Sequence, residues 1–377
     1  MKKMVSMALT GTMAVAVLAG AGTSEVKAAD KAKIGVLVAD VSGEEAQGFR
    51  SYYENYIAGN YDVEFNYTDA LQSAEDEKTA IEKFASQGCQ AIISFSSNDR
   101  VQQIETCEKY GVYYAVASGV LDDAQYETYK TYEYFAGQVG PGNDTEFEAG
   151  KDMGAYYKEQ GVSKVAIYGA FIPNPMHVYR VAGVLNGLGC TYGGESDMNA
   201  IAGQIFQDQT VDLSKVEGDV EVVSYLQGYG DTTTDELNAA IQKTPDAFIS
   251  VGMATTFFAQ SLSEAGISFS DIDSFTETNG NSMKNGTLTY LAGKYSSSIG
   301  PVFALVMNAI NGNVIRDEDG NAPSISQGYL VATDSDTFDK YSVSDSGDAP
   351  IYDKETLDSI IGDNVTFEDV KTLVESK

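Results

Sequence analysis

The sequence predicts an α/β protein of two doubly wound parallel-sheet lobes, with a short C-terminal helical appendage. Three observations predict it. Short apolar runs alternate with amphipathic helical stretches, the cadence of right-handed crossovers on a parallel sheet. That cadence lapses in a polar, tyrosine-rich stretch at 122–134 and then resumes, so the βα series occurs twice. At 377 residues the chain also has room for two domains of roughly 150 residues each.

The first element is a leader. Lys2 and Lys3 precede an uncharged apolar run at 4–18, followed by small residues at Ala19-Gly20-Ala21 and Val26-Lys27-Ala28. A charged start, a short apolar core and small-x-small cleavage sites mark a secretory signal peptide, expected at 1–29. The mature chain is then expected outside the cytoplasm, in a periplasm or at the cell exterior. Leu18-Ala19-Gly20 is what precedes the lipidated cysteine of a bacterial lipoprotein, but the next residue is Ala21, so no lipid anchor by that route is expected. No later stretch reaches the roughly 18 uninterrupted apolar residues of a membrane span.

Ile34-Gly35-Val36-Leu37-Val38 reads as a strand buried on both faces. A helix is expected at 44–58, a strand at 63–67, and a helix at 74–87 ended by Gly88. Strands at 91–93 and 112–117 flank a helix at 99–110. After the lapse come helices at 144–160 and 175–188 around a strand at 164–168, and a strand at 220–226. A helix at 234–243 and a strand at 247–251 precede a helix at 255–265, strands at 272–276 and 287–292, and a long helix at 299–311. The first lobe is expected at 33–138 plus 296–332 and the second at 139–295. The remainder, 333–377, reads as a crossover and the helical appendage, with Thr366 and Asp369 as a weakened capping box.

Charge and motifs exclude several classes. Hydrophobic residues make up 43% and charged residues 21%, as in ordinary globular chains. The net charge of −31 repels phosphate backbones, so no nucleic-acid partner is expected. Cys89, Cys107 and Cys190 read as small buried hydrophobes, with a Cys89–Cys107 bridge as the alternative. One histidine, His177, and no paired-cysteine motif give no metal site, and no cofactor is expected. There is no nucleophile elbow, since Gly194-Glu195-Ser196-Asp197-Met198 lacks its last glycine, and no phosphate-binding loop. Asp317-Glu318-Asp319-Gly320-Asn321 has its glycine too early for a calcium loop. The chain is therefore expected not to be an enzyme.

A binding role needs less. In doubly wound sheets ligands sit at the carboxyl ends of the strands, and two such lobes face to face share a cleft. The loops expected there carry Ser42, Glu44, Ser94, Asn98, Asp99 and Ser118 from the first lobe. From the second come Asn174, Met176, Tyr179, Arg180 and Asn279. Hydroxyls and amides with interspersed aromatics suit a small polar, carbohydrate-like ligand, although Ser, Asn and Asp at strand ends also serve as helix caps. Without tryptophan, stacking falls to Phe49, Phe95, Tyr179 and Tyr295.

From 33 to 313 the chain resembles the type I periplasmic binding proteins of the ribose- and galactose-binding branch. The resemblance rests on Lys33-to-Val38, Gln90-Ala91-Ile92-Ile93 with Asn98-Asp99-Arg100-Val101, and Gly161-Val162-Ser163-Lys164-Val165-Ala166. It continues through Arg180-Val181-Ala182-Gly183-Val184, Lys284-Asn285-Gly286-Thr287-Leu288-Thr289, Ile299-Gly300 and Asn311-Gly312-Asn313. It implies a non-enzymatic extracytoplasmic receptor whose two lobes are joined by a three-segment hinge, and which closes on a solute and hands it to the transmembrane subunits of an ABC permease; a monomer is expected. Arg180 would be the ligand anchor, and Lys294 stands where the family has a hinge glutamine, beside Tyr295. Departures at Ser118-Gly119, Gly252-Met253 and Glu45-Ala46 put a ribose-like pyranose in doubt. The alternatives are a receptor informing a membrane sensor or chemoreceptor, and a secreted enzyme with an unrecognised site.

Overall fold

The structure is a computed structural model that describes residues 31–345 and 349–377. The leader and the lipoprotein-like Leu18-Ala19-Gly20-Ala21 lie outside the described residues. Among those described, no helix is long and apolar enough to cross a membrane.

The strands run β1 Ala32–Leu37, β2 Val63–Tyr67, β3 Ala91–Ser94, β4 Tyr113–Ala117, β5 Phe135–Gly140, β6 Lys164–Tyr168, β7 Thr191–Tyr192 and β8 Val216–Glu217. They continue as β9 Glu221–Leu226, β10 Ala247–Ser250, β11 Ser268–Ser274, β12 Leu288–Lys294, β13 Ser324–Ser326 and β14 Leu330–Ala332. Among the described residues two six-stranded sheets result, ordered β13-β5-β4-β3-β1-β2 and β14-β12-β11-β10-β6-β9, with β7 and β8 as a separate two-stranded antiparallel sheet. Every pairing in the first sheet is parallel, and in the second only β12 with β14 is antiparallel. The fold is thus α/β, two parallel sheets flanked by helices. Strands β3, β4 and β10 are buried almost throughout, as the apolar runs require of a sheet covered on both faces.

The chain leaves the first sheet after β5 and enters the helix Asn143–Glu159 of the second lobe. It returns after β12 through the helix Gly300–Ile310, which packs on β3, β4 and β5, and it crosses again between β13 and β14. The expected assignment of 296–332 to the first lobe is corrected at its end, because β14 pairs with β12 in the second sheet. The expected single unit at 333–377 also divides. Helix Ser335–Asp345 docks on the second lobe, with Phe338 against Phe275 at 5.3 Å and against Gly280. Helices Lys354–Asp358 and Phe367–Glu375 pack on the first lobe instead. There the Asn308 side chain donates to Ile360 O at 2.8 Å and accepts from Gly362 N at 2.8 Å, while Val370 and Val374 are buried. The Thr366–Asp369 capping box is formed. The polar stretch at 122–134 holds a short helix, Asp123–Tyr129. All three cysteines are buried and unbridged.

The second lobe is built around two parallel helices, Asn143–Glu159 and Pro175–Gly187. Four glycines let their backbones touch. A Cβ on Gly150 would overlap Arg180 O, one on Gly183 would overlap Phe147 O, and one on Gly187 would overlap Lys151 O, with Gly154 facing Val184 O in the same way.

Candidate functional site

Between the lobes lies a cavity of about 660 Å³. Its walls come from the carboxyl ends of the strands and the helices that follow them, where open parallel sheets bind ligands. The first lobe supplies Asp40, Phe49, Arg50, Tyr67, Phe95 and Arg100 together with the turn 118–121. The second supplies Asn143, Glu146, Asn174, Met176, Tyr179 and Phe206, and Lys294 reaches in from the end of β12.

Ring faces form part of both walls. Phe49 stacks on Phe95 at 5.4 Å, and Tyr179 meets Phe206 edge-on at 6.3 Å. Arg50 lies 4.6 Å over the Tyr67 ring while pairing with Glu54 at 3.0 Å. The Tyr67 hydroxyl is buried with no partner, and burial pushes its pKa well above the usual range.

The turn after β4 is shaped by its neighbours. Ser118 takes φ 56° and Gly119 φ 144°, a backbone that glycine adopts without strain at the second position. Gly140, at the end of β5, is pressed so closely on it that a Cβ there would overlap the Gly119 backbone. Arg100 closes the turn by donating from Nη1 to Val120 O at 2.6 Å.

The carboxylates of the cavity wall are engaged within the protein. Asp40 accepts from Ser42 N at 2.9 Å, Ser42 Oγ at 3.0 Å and Gly43 N at 3.0 Å, and the Ser42 N–H holds its carboxyl below the ordinary value. Asp122 caps a helix by accepting from Gln125 N at 2.8 Å. Glu45 accepts from Ser274 Oγ at 2.6 Å, with Lys294 Nζ at 3.7 Å. Glu146 takes the Arg180 Nε–H at 2.6 Å and the Tyr329 hydroxyl at 2.9 Å.

Of the residues expected to bind ligand, Ser118, Asn174, Met176, Tyr179 and Lys294 line this cavity. Asn174 also caps the helix Pro175–Gly187. Glu44 and Tyr295 line a smaller neighbouring cavity of about 190 Å³. The others stand elsewhere, for local reasons. Ser42 folds back on Asp40, and Ser94 donates to Ser96 O at 3.1 Å. Asn98 donates to the buried Glu77, and Asp99 caps the helix Arg100–Tyr110. Asn279 is buried and donates to Ser274 O at 2.7 Å.

Arg180, the expected ligand anchor, is held by protein groups and does not line the cavity. The residue is 3% exposed. It donates to Glu146 Oε2 at 2.6 Å, Val251 O at 2.8 Å, Tyr329 Oη at 2.7 Å and Glu146 Oε1 at 3.3 Å. Four of its five donors are therefore taken. Burial by itself lowers its pKa, but the adjoining Glu146 carboxylate outweighs that and holds it above the ordinary arginine range. Sequence reasoning missed Arg50, Arg100, Tyr67 and Glu146 as wall residues. One signal was available, because the chain has only four arginines and three of them, Arg50, Arg100 and Arg180, lie on helices that follow strand ends.

Behind the wall, His177 Nδ1 accepts from Phe171 N at 3.1 Å. Burial first, and then the nearby Arg180, lower its pKa from 6.5 to about 4. A folded pKa below the unfolded one gives stability that is full above pH 6.5 and is lost as pH falls toward about 4. His177→Gln is expected to flatten the melting temperature between those pH values; an unchanged slope in a pH series of thermal melts would remove the histidine from acid sensitivity. The chain has no other histidine to produce that slope.

No protein-family sequence model matches the chain, and no curated protein matches it by sequence. Solved structures do match by fold. An arabinose-transporter periplasmic binding protein from Shewanella sp. ANA-3, bound to L-arabinofuranose, superposes with TM-score 0.57 at 16% identity, over 82% of this chain and 94% of that one. A solute-binding protein from Bacillus halodurans C-125 with bound myo-inositol gives 0.57 at 16%, over 84% and 98%. Another from Actinobacillus succinogenes 130z with bound D-allose gives 0.62 at 16%, over 82% and 100%. At such identities the likeness shows the fold.

Proposed function

We propose, for a chain with the type I periplasmic binding protein fold, that it is an extracytoplasmic receptor that captures a small carbohydrate-like solute between its lobes. Closure about the crossing segments buries the ligand, and a monomer delivers it unchanged to an ABC importer. The single observation that carries this reading is the cavity of about 660 Å³ framed by strand ends of both sheets. Its Phe49–Phe95 and Tyr179–Phe206 faces suit the C–H faces of a sugar ring, while Asn143, Asn174 and Ser118 suit its hydroxyls. The solved structures of the same fold hold arabinofuranose, inositol and allose, which favours that ligand class.

A thermal-shift screen over sugars, polyols, nucleosides and short peptides tests it. A sugar or polyol at a hundred times its Kd is expected to stabilise the fold by about 2.7 kcal/mol and raise the midpoint by several degrees. A response confined to nucleosides or peptides would overturn the ligand class. Recovery of a chemically altered sugar would overturn the receptor reading in favour of an enzyme.

A further inference from the structure

In a chain of net charge −31, the cleft gathers the scarce arginines. Two of the four, Arg50 and Arg100, line the cavity, and Arg180 lies directly behind it. Their partners differ. Arg50 is paired with Glu54 and Arg180 with Glu146, whereas Arg100 makes no ion pair with a described carboxylate. Its Nη1 holds Val120 O, its Nε is buried without a partner, and its Nη2 lies against the Gly119 turn. Glu77, the carboxylate whose charge acts on Arg100, makes no ion pair with it and takes the loop donors Ser96 Oγ, Asn98 N and Asp99 N. Burial pulls the Arg100 pKa below the ordinary arginine value, the mark of a cation short of counter-charge. On the other side of the same turn stands Lys294, with Nζ 3.5 Å from Ser118 Oγ and only a long 3.7 Å contact to Glu45. Two incompletely neutralised cations thus flank one turn of the wall, while Asp40, Glu45, Asp122 and Glu146 are all occupied by protein donors. The unused donors beside this turn belong to cations, Arg100 and Lys294. A partly buried guanidinium without a paired carboxylate is unfavourable, and an incoming anion reverses that.

We propose that the solute carries an anionic group, a carboxylate or a phosphate on a sugar ring, seated on Arg100 and Lys294 beside the turn 118–120. This rests on the receptor reading above. The ring lies between the aromatic walls and the anion points toward the first lobe, where the Arg100 Nη2 and the Lys294 ammonium supply charged donors.

The test is calorimetric titration with matched triplets, glucose with glucuronate and glucose 6-phosphate, and the galactose and mannose sets. Within a binding triplet, one charged member is expected to bind at least about tenfold tighter than the neutral sugar. Arg100→Gln should weaken the charged member roughly tenfold to a hundredfold more than it weakens the neutral one. Preference for the uronate, poorly rescued by Arg100→Lys, assigns a carboxylate; preference for the ester, largely rescued, assigns a phosphate. Lys294→Gln gives a second reading of the same loss should the arginine variant fail to fold. Neutral sugars binding as tightly as charged ones, with both variants like the native chain, overturns the anion and leaves the receptor standing. If no member of any triplet binds, the sugar-receptor reading falls and the anionic ligand with it.

Discussion

Arg180→Ala lowers the melting temperature by roughly 6–12 °C at neutral pH, and this is the largest single-residue effect expected in the chain. Arg180 and Glu146 are each 3% exposed, so the mutation leaves a carboxylate in the interior with only the Tyr329 hydroxyl to answer it. Breaking a buried pair by removing one partner costs about 3–5 kcal/mol, far more than the intact pair contributes. Val251 O and Tyr329 lose a donor as well. Adding Glu146→Gln to Arg180→Ala should recover a substantial part of the loss, since the stranded charge goes with it. Tyr329 lies between β13 and β14, so the network also ties the paired helices to a crossing segment. Thermal melts of the three variants decide the matter. An unchanged melting temperature with a large loss of ligand affinity would return Arg180 to the binding role its sequence context suggests.

The second large effect sets one substitution against itself in two places. Gly183→Ala is expected to destabilise the protein by about 3 kcal/mol, and Gly203→Ala to stabilise it by about 0.5–1 kcal/mol. Both glycines are within helices, where alanine has the better propensity. A Cβ on Gly203 meets nothing within 4 Å, so only the propensity gain remains. A Cβ on Gly183 meets the Phe147 carbonyl oxygen, Lys151 N and the Phe147 carbonyl carbon, all backbone of the facing helix. Backbone cannot swing aside as a flexible side chain can, so the two helices must separate. Denaturant melts of both variants read the sign directly; a Gly183→Ala protein as stable as the native one would mean that this helix pair slides freely.

The buried parallel strands were the most legible part of the sequence. Runs such as Ile34-Gly35-Val36-Leu37 have no polar alternation because helices cover both faces of the sheet. Strand β13 was not legible, being a three-residue edge strand with one buried side chain. Helix Ser335–Asp345 buries only Phe338 and so shows no apolar stripe. Helix Met198–Asp208 did carry a signal, the cap Asp197 with buried Ile201 and Ile205, and it went unread. At the site, Ser118 and Asn174 could be found because strand ends dictate where loops converge. Arg50 and Arg100 reach the cavity on long side chains from helices, and local pattern does not say which way such chains turn. The Arg180–Glu146 pair was not legible, because the two residues lie 34 positions apart and only the packing of two helices brings them together.

The described chain starts and finishes on one body. Strand β1 begins at Ala32 in the first sheet, and the last helix, Phe367–Glu375, packs beside β13 of that same sheet. Fluorescent donor and acceptor proteins fused to the two ends would ride together and stay blind to the proposed closure. A sensor made from this scaffold needs one dye carried by the second lobe, and Tyr229, exposed on the loop after β9, is a suitable place to attach it through an introduced cysteine. The three native thiols would not compete for the label, because Cys89, Cys107 and Cys190 are all buried.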